Sequence, residues 1–137
     1  MLSVGAVVAQ QEVANQTQTA MKATGRAMGG LAPMVKGEKP YDQAVVNTSL
    51  AQLEETAKKL PTMFPDSIKG LKIEGDYSAS PKVWEDKAGF AAKIDSYAKA
   101  VTEAKAKIKD LDSLKAAVPA IGKECSGCHE TYRLKNS

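Results

Sequence analysis

The chain has 137 residues and a formal net charge of +3 at pH 7, from 19 lysines and arginines against 16 acidic residues. This length favours a single domain with one sizeable core, and so small a charge gives no electrostatic case for nucleic-acid binding. Aromatic residues make up only 5% of the chain, whereas alanine and lysine recur throughout. The composition therefore favours helices over strands and predicts an all-α domain.

The first nine residues are uncharged and mostly small or apolar. The segment Val7–Ala9, followed by Gln10, resembles the end of a secretory leader with its small-residue cleavage site. The run is too short to span a membrane, and it lacks the positively charged segment that opens a complete leader. We expect residues 1–9 to be the remnant of a leader and residues 10–137 to form the mature domain. A frayed N-terminal extension is the alternative.

The first predicted helix runs from about Glu12 to Val35, with apolar or small residues at alternating spacings of three and four. This spacing is typical of the inward face of a helix in a bundle. Pro33 falls near its end, and Gly37 follows as the stop signal. The expected inward residues are Ala14, Thr17, Met21, Thr24, Met28, Leu31 and Val35.

The second predicted helix runs from Asp42, its expected N-cap, to about Leu60. Pro61 ends it, because the residue before a proline is pushed out of the helical region. Residues 61–80 then contain two prolines and two glycines and show no sustained period. A connection of this length inside a small domain suggests packing against a cofactor or a partner.

The third predicted helix opens at Ser80 and Pro81, as N-cap and first helical residue, and the fourth begins near Asp112. Pro119 is expected to kink the fourth helix or to divide its first turn from the rest. Four helices with one long connection favour an antiparallel four-helix bundle, and bundle cores are common cofactor sites. The inward residues are Val83, Phe90, Ile94, Tyr97, Val101, Ala104 and Ile108 on the third helix, and Leu114, Val118, Ile121, Cys125, Cys128 and Tyr132 on the fourth.

The two cysteines and the single histidine of the chain occur together, as Cys125, Cys128 and His129. Cys-x-x-Cys-His is the attachment signature of a c-type haem. Each thiol adds to one haem vinyl group to form a thioether, so both sulfurs must lie on the same side of the backbone, as residues three apart on a helix do. His129 then projects near the same face and is predicted to bind the iron. The motif predicts haem c as the cofactor.

Two other interpretations of the motif compete with haem attachment. A thioredoxin-like dithiol would require a strand, a turn and a helix within an alternating α/β pattern, which this chain lacks. A structural zinc site would require four ligands, whereas the motif supplies three. A catalytic zinc site with three protein ligands stays an alternative, although adjacent cysteine and histidine in one helical turn are poorly placed for its tetrahedron. Covalent haem attachment is the favoured interpretation.

Four segments match a known pattern in order and spacing: Met34–Asp42, Leu60–Pro65, Ser80–Trp84 and Cys125–Arg133. Together they resemble the cytochrome c′ family, the class II c-type cytochromes, over essentially the whole mature chain. The resemblance implies a four-helix bundle with haem near the C-terminal helix.

The family divides by the residue that faces the iron opposite the histidine. In cytochromes c′ proper an apolar residue of the first helix covers the iron, whereas in the low-spin cytochrome c-556 type a methionine binds it. Matching the family pattern through Gly37 puts Met21 at this position, so the resemblance implies ligation by His129 and Met21. Met28, on the same helix face, is the second candidate.

The resemblance also bears on residues around the haem. Family members often carry an arginine one turn before the distal residue, where this chain has Thr17. Arg133 matches the family arginine after the haem motif, which implies a place near a propionate or the proximal imidazole. Trp84, Phe90 and Tyr132 are expected to line the haem, with ordinary core packing as the alternative.

The predicted function is that of a periplasmic one-electron carrier with transient redox partner proteins. An enzyme is not expected, because the sole histidine is committed to iron, which excludes a Ser/His/Asp set, and no paired-carboxylate site stands out. No nucleic-acid partner or membrane span is expected either. The resemblance leaves a homodimer open alongside a monomer. If Met21 does not bind the iron, the alternative is a five-coordinate cytochrome c′ that binds nitric oxide or carbon monoxide.

Overall fold

The computed structural model describes residues 4–70 and 75–136, with residues 4–8 described by their backbone alone. Its helices are α1 (Val4–Val35), α2 (Gln43–Lys59), α3 (Lys82–Glu85), α4 (Lys87–Lys107) and α5 (Leu111–Tyr132). Two strands, β1 (Tyr77–Ala79) and β2 (Arg133–Lys135), and two 3-10 turns at Leu60–Thr62 and Asp66–Ile68 complete the described elements. The predicted all-α class is confirmed.

The four long helices form the predicted antiparallel bundle. α1 packs on α2, α2 on α4, α4 on α5 and α5 on α1, so that each has two helical neighbours. The C-terminal halves of α1 and α4 meet the N-terminal halves of α2 and α5 in the hydrophobic core, as antiparallel order requires. We call this part the closed end of the bundle, and it is built from Leu31, Met34, Val46, Leu50, Val101 and Leu114.

The N-terminal helix begins earlier than predicted, at Val4 instead of near Glu12. Residues 1–3 of the predicted leader remnant lie outside the described residues, while residues 4–9 continue the helix. The division between leader and mature domain stays a prediction. None of the helices in the described part of the chain combines the length and the hydropathy needed to cross a membrane.

Two helix starts follow their capping residues. Asp42 caps α2, its side chain accepting hydrogen bonds from the backbone N–H groups of Ala44 and Val45.

Asp110 caps α5, which begins at Leu111, slightly before the predicted start. The Asp110 carboxylate accepts a hydrogen bond from the backbone N–H of Ser113 at 2.8 Å, and the Asp110 backbone N–H donates to the Ser113 hydroxyl at 3.1 Å. This reciprocal pair is a capping box. α5 then continues through Pro119 without the predicted division.

The prediction of one continuous third helix was wrong. The chain leaves helical geometry at Asp86, where φ is −129° and ψ is 61°, so that α3 ends at Glu85 and α4 begins at Lys87. The Asp86 carboxylate caps α4 by accepting a hydrogen bond from the Gly89 backbone N–H at 3.1 Å. The sequence carried a weak signal of this break, since no apolar residue of the predicted inward set falls between Val83 and Phe90.

A short antiparallel ribbon was not predicted. β1 pairs with β2 in the register Tyr77↔Lys135, Ser78↔Leu134 and Ala79↔Arg133. Asn136 extends the pairing, donating from its backbone N–H to the Asp76 carbonyl at 2.7 Å and from its side-chain amide to the Gly75 carbonyl at 2.8 Å. The ribbon therefore ties the long connection after α2 to the C-terminal end of α5.

Candidate haem-binding site

The end of the bundle opposite the closed end contains a cavity of about 730 Å³. This size falls within the range of roughly 300–1,000 Å³ that is usual for cofactor and ligand sites. α1, α2, α4, α5 and β1 all contribute to its walls, and we call this part the cavity end. Large apolar and aromatic side chains make up much of the lining, among them Met21, Met28, Leu60, Phe64, Phe90 and Tyr97.

Cys125, Cys128 and His129 all line the cavity from the C-terminal turns of α5. They continue the helix face whose earlier residues, Leu114 and Ile121, are buried in the core. The same amphipathic period that packs α5 at the closed end therefore turns the motif inward at the cavity end. Cys128 and His129 follow Cys125 at spacings of three and four residues, which keeps the three side chains on one face of the helix.

The donor set of the motif is chemically suited to a c-type haem. Both cysteines are free thiols instead of a disulfide, and both are half-buried. Burial raises the pKa of the Cys125 and Cys128 thiols, since a thiolate loses hydration there. Burial, and then the positive charge of Arg133, lower the pKa of His129, which favours the neutral imidazole that ligates metals.

α1 brings two sulfur donors, Met21 and Met28, to the same cavity, and both are partly buried. Thr24 lies between them, with its hydroxyl 2.7 Å from the Thr56 hydroxyl and donating to the Ala20 carbonyl at 2.8 Å. The hydroxyls of this pair are thus engaged with each other and with backbone. The methionine thioethers remain as the soft donors on this wall.

Thr17, which stands where the family often has an arginine, also lines the cavity. Its hydroxyl donates to the carbonyl oxygen of Val13 at 3.2 Å and lies 3.3 Å from that of Met63. The position therefore adds no cationic group to the wall beside Met21.

Of the three aromatic residues expected around the haem, Phe90 and Tyr132 line the cavity, with their ring centroids 5.1 Å apart. Trp84 does not, and the prediction that it lines the haem finds no support in its position. Its indole N–H donates to the Phe64 carbonyl at 3.2 Å, and its ring faces a neighbouring cavity of about 510 Å³. Trp84 and Phe90 lie on different helices, α3 and α4, separated by the break at Asp86.

Arg133 lines the cavity from the first position of β2. Its guanidinium carbon lies 3.8 Å from the centroid of the Tyr77 ring, a cation–π contact across the ribbon. The ribbon thereby holds the guanidinium at the edge of the cavity, where a carboxylate such as a haem propionate is a suitable partner.

Several lining residues were not singled out from the sequence. Tyr97 was expected only to pack inward, yet it lines the cavity and donates its hydroxyl to the Leu53 carbonyl at 3.0 Å. Thr56, which is 1% exposed, could have been noticed as a polar residue next to the apolar position of Ala57 on α2. Tyr77 carried no signal, since three-residue strands are too short to show a period.

The zinc alternative loses support in the structure. Within residues 4–70 and 75–136, no group of three or more histidine, cysteine, aspartate or glutamate side chains is arranged to hold a metal ion. The motif supplies one imidazole and two thiols in a cavity far larger than a metal ion requires.

Comparison with known proteins decides the family. A family model described as Cytochrome C′ matches residues 12–133. The chain is similar to cytochrome c-556 of Rhodopseudomonas palustris, with 54% identity over 136 residues that cover 98% of this chain and 91% of the relative. It is also similar to cytochrome c′ of the same organism, with 44% identity covering 100% of this chain and 92% of the relative. The chain belongs to the cytochrome c′ family.

The solved structures agree with this assignment. An NMR-validated structural model of oxidized R. palustris cytochrome c556 superposes with a TM-score of 0.81 and 53% identity, covering 93% of this chain and 99% of that one. As a member of the cytochrome c′ family, the protein is a haem-binding electron carrier whose haem c is covalently attached. Because its relatives bear the names of both c-556 and c′, similarity alone leaves the axial ligation undecided.

Proposed function

We propose that this member of the cytochrome c′ family is a periplasmic one-electron carrier with haem c bound to Cys125 and Cys128. His129 is the proximal ligand of the iron and Met21 the distal ligand. The observation that supports the proposal most directly is the shared cavity, which the motif of α5 and the methionine of α1 line together. When bound, the haem supplies an iron that alternates between the ferrous and ferric states.

Each residue has a distinct role in this proposal. Cys125 and Cys128 tether the cofactor, so it stays in place when local packing loosens. Met21 is a soft thioether donor, and a methionine opposite a histidine raises the reduction potential by favouring ferrous iron. With His129 and Met21 as its ligands, the iron would keep the same two protein donors in both oxidation states, which would keep structural reorganisation on electron transfer small. Apolar walls around them, including Phe90, exclude water and also tune the potential.

Export and partners are inferred from chemistry. Covalent haem is generally attached outside the cytoplasm, which supports a periplasmic location. An electron carrier meets its donor and acceptor through small, transient interfaces. The redox partners are therefore proteins that make brief contact with the surface near the haem edge. Only an electron passes between them and this protein, and no substrate is transformed.

The ligation is tested by optical spectroscopy of the purified holoprotein in both oxidation states. We expect a low-spin ferrous spectrum with sharp α and β bands in the wild type, and a high-spin spectrum in Met21→Ala. Met28→Ala is the matched control, because Met28 lies on the same helix face and lines the same cavity. If Met28→Ala and not Met21→Ala abolishes the low-spin spectrum, Met28 is the ligand instead.

The five-coordinate alternative is the second candidate function. It is favoured by the largely apolar lining of the cavity as a whole, which has room for a diatomic gas if no sulfur binds the iron. A high-spin ferrous spectrum in the untouched protein, with rapid binding of carbon monoxide, would establish this alternative and exclude the carrier with His/Met ligation.

Haem attachment is tested separately. A pyridine haemochrome assay on protein from a host that matures c-type cytochromes should show the thioether-linked form, and Cys125→Ala together with Cys128→Ala should abolish it. Haem extractable by acid acetone from the wild type would contradict the covalent bond to these cysteines.

A further inference from the structure

His129 lies close to the C-terminal end of α5, only three residues before the last helical residue, Tyr132. Helix ends lack part of their hydrogen bonding and tend to fray. An axial ligand in such a turn needs the turn to be held from outside the helix, since its own backbone provides less restraint than a helix interior.

Tyr132 supplies two such restraints. Its hydroxyl donates to the Asp86 carboxylate at 3.0 Å, and its carbonyl oxygen accepts from the Ser80 backbone N–H at 2.9 Å. Tyr132 is 7% exposed, and its ring packs against that of Phe90, with the centroids 5.1 Å apart. On a helix, Tyr132 is a surface neighbour of His129 at spacing three and of Cys128 at spacing four.

Asp86 is itself fixed in place. It stands at the break between α3 and α4, and its other carboxylate oxygen accepts the Gly89 backbone N–H at 3.1 Å as the N-cap of α4. One carboxylate thus joins the start of α4 to the end of α5, through two residues that lie 46 positions apart in the chain.

Gly89 leaves the space in which this bond forms. A methyl group at this position would lie 2.6 Å from the Tyr132 hydroxyl oxygen and still nearer to the Asp86 carboxylate, closer than real side-chain contacts. With that methyl group present, the Asp86 and Tyr132 side chains could form their hydrogen bond only after one of them was displaced. Three residues from two helices are therefore arranged around a single hydrogen bond.

We propose that the Asp86–Tyr132 hydrogen bond, in the space left by Gly89, is a clamp that holds the last turn of α5 and so orients the His129 imidazole toward the haem iron. Asp86, Gly89 and Tyr132 act through His129 and are positioning residues. The inference rests on the proposed function in one respect, that His129 is the proximal ligand.

The test is the resonance Raman band of the iron–histidine bond in ferrous holoprotein. It is measured in a background that lacks both cavity methionines, Met21→Ala with Met28→Ala, so that the iron retains a single axial ligand. We expect Tyr132→Phe, which keeps the ring and removes the hydroxyl, to shift this band and broaden it, because the imidazole samples a wider range of orientations.

Ser113→Ala in the same background is the matched control. It removes the capping box at the opposite end of the same helix, where Ser113 pairs with Asp110. It should leave the band unchanged. A band of the same position and width in Tyr132→Phe would overturn the clamp. Absence of any iron–histidine band in the background itself would instead overturn His129 as the ligand, so the two failures are distinguishable.

Thermal unfolding of otherwise wild-type holoprotein gives a second test. Helix propensity alone predicts that Gly89→Ala raises the Tm, whereas the clamp predicts that it lowers the Tm. Gly29→Ala is the control, because Gly29 is exposed within α1 with no atom near the added methyl group, and its Tm should rise. A rise in both variants would show that the space at Gly89 is not needed.

Discussion

The closed end and the cavity end of the bundle are built from the same four helices but packed in different ways. At the closed end, Leu31, Val46, Val101 and Leu114 are each 0% exposed. At the cavity end, the same helix faces carry side chains such as Met21 that are only partly buried around about 730 Å³ of space. One continuous amphipathic period therefore makes a close-packed core at one end and the lining of a large, mainly apolar cavity at the other.

The walls of the cavity are held by side-chain hydrogen bonds between elements. The Thr24 and Thr56 hydroxyls form a hydrogen bond that links α1 to α2. The Tyr97 hydroxyl donates to the Leu53 carbonyl and links α4 to α2. Such bonds contribute modestly but are directional. They fix α2 relative to α1 and α4 beside the cavity.

The largest effect should come from removing the haem, which tests the dependence of the cavity end on its cofactor. In Cys125→Ala with Cys128→Ala purified without haem, we expect a loss of stability greater than any single core truncation causes, because the cavity walls lose their apolar partner. Thermal unfolding followed by far-UV circular dichroism measures it. An apoprotein with the Tm of the holoprotein would mean that the cavity end packs without the haem.

Leu31→Ala tests the closed end. Truncating a fully buried leucine typically costs about 2–5 kcal/mol through lost burial and the remaining cavity, and Leu31 is 0% exposed. Urea unfolding of the holoprotein measures the loss. The optical spectrum should stay that of the wild type, since the site lies at the other end. A change of spin state would show that the two ends are coupled.

Thr24→Val tests the polar link beside Met21 with little change of volume. We expect a loss of about 1 kcal/mol, because the Thr56 hydroxyl loses one of its partners in a buried place. Thr102→Val on α4 is the control, since the Thr102 hydroxyl bonds only locally, to the Ala98 carbonyl at 3.0 Å, on an exposed face. Equal stability changes in the two variants would contradict a special role for the Thr24–Thr56 pair.

The smallest effect should come from Asp110→Ala, at the start of α5. Hydrogen bonds from the Ser113 side chain and backbone lower the pKa of the Asp110 carboxyl. A carboxyl whose folded-state pKa is lowered stabilises the fold above its unfolded pKa, and this contribution is lost as the pH falls through the folded-state pKa. The Tm difference between wild type and variant should therefore be present at pH 7 and shrink below about pH 4. A difference that does not vary with pH would contradict the cap.

Much of the site followed from residues near one another in the chain. The spacing of Cys125, Cys128 and His129 names the cofactor because the attachment chemistry constrains a single helical turn. The inward face of α1 followed from its period, and Ala14, Thr24 and Leu31 are buried as that period requires. The family register added Met21, whose bond to the iron stays a prediction.

Other features could not be predicted, because they depend on contacts between distant segments. The ribbon pairs Tyr77 with Lys135, and neither strand is long enough to show alternation. Trp84 was expected to line the haem, with ordinary core packing as the alternative, and it lines the neighbouring cavity together with Pro61 and Val83. The break before α4 depends on a side-chain cap that competes with helix continuation, and the propensity of a single aspartate does not decide between them.

By itself, the sequence determined the four long helices apart from the exact starts of α1 and α4, their inward faces and the haem motif, since these depend on local period and on covalent chemistry within one turn. Only the tertiary structure decided which end of the bundle stays open, which aromatic residues reach the cavity and how Asp86 meets Tyr132 across 46 residues of chain. Such contacts depend on how whole helices pack, and no local pattern encodes the distance between two helix faces.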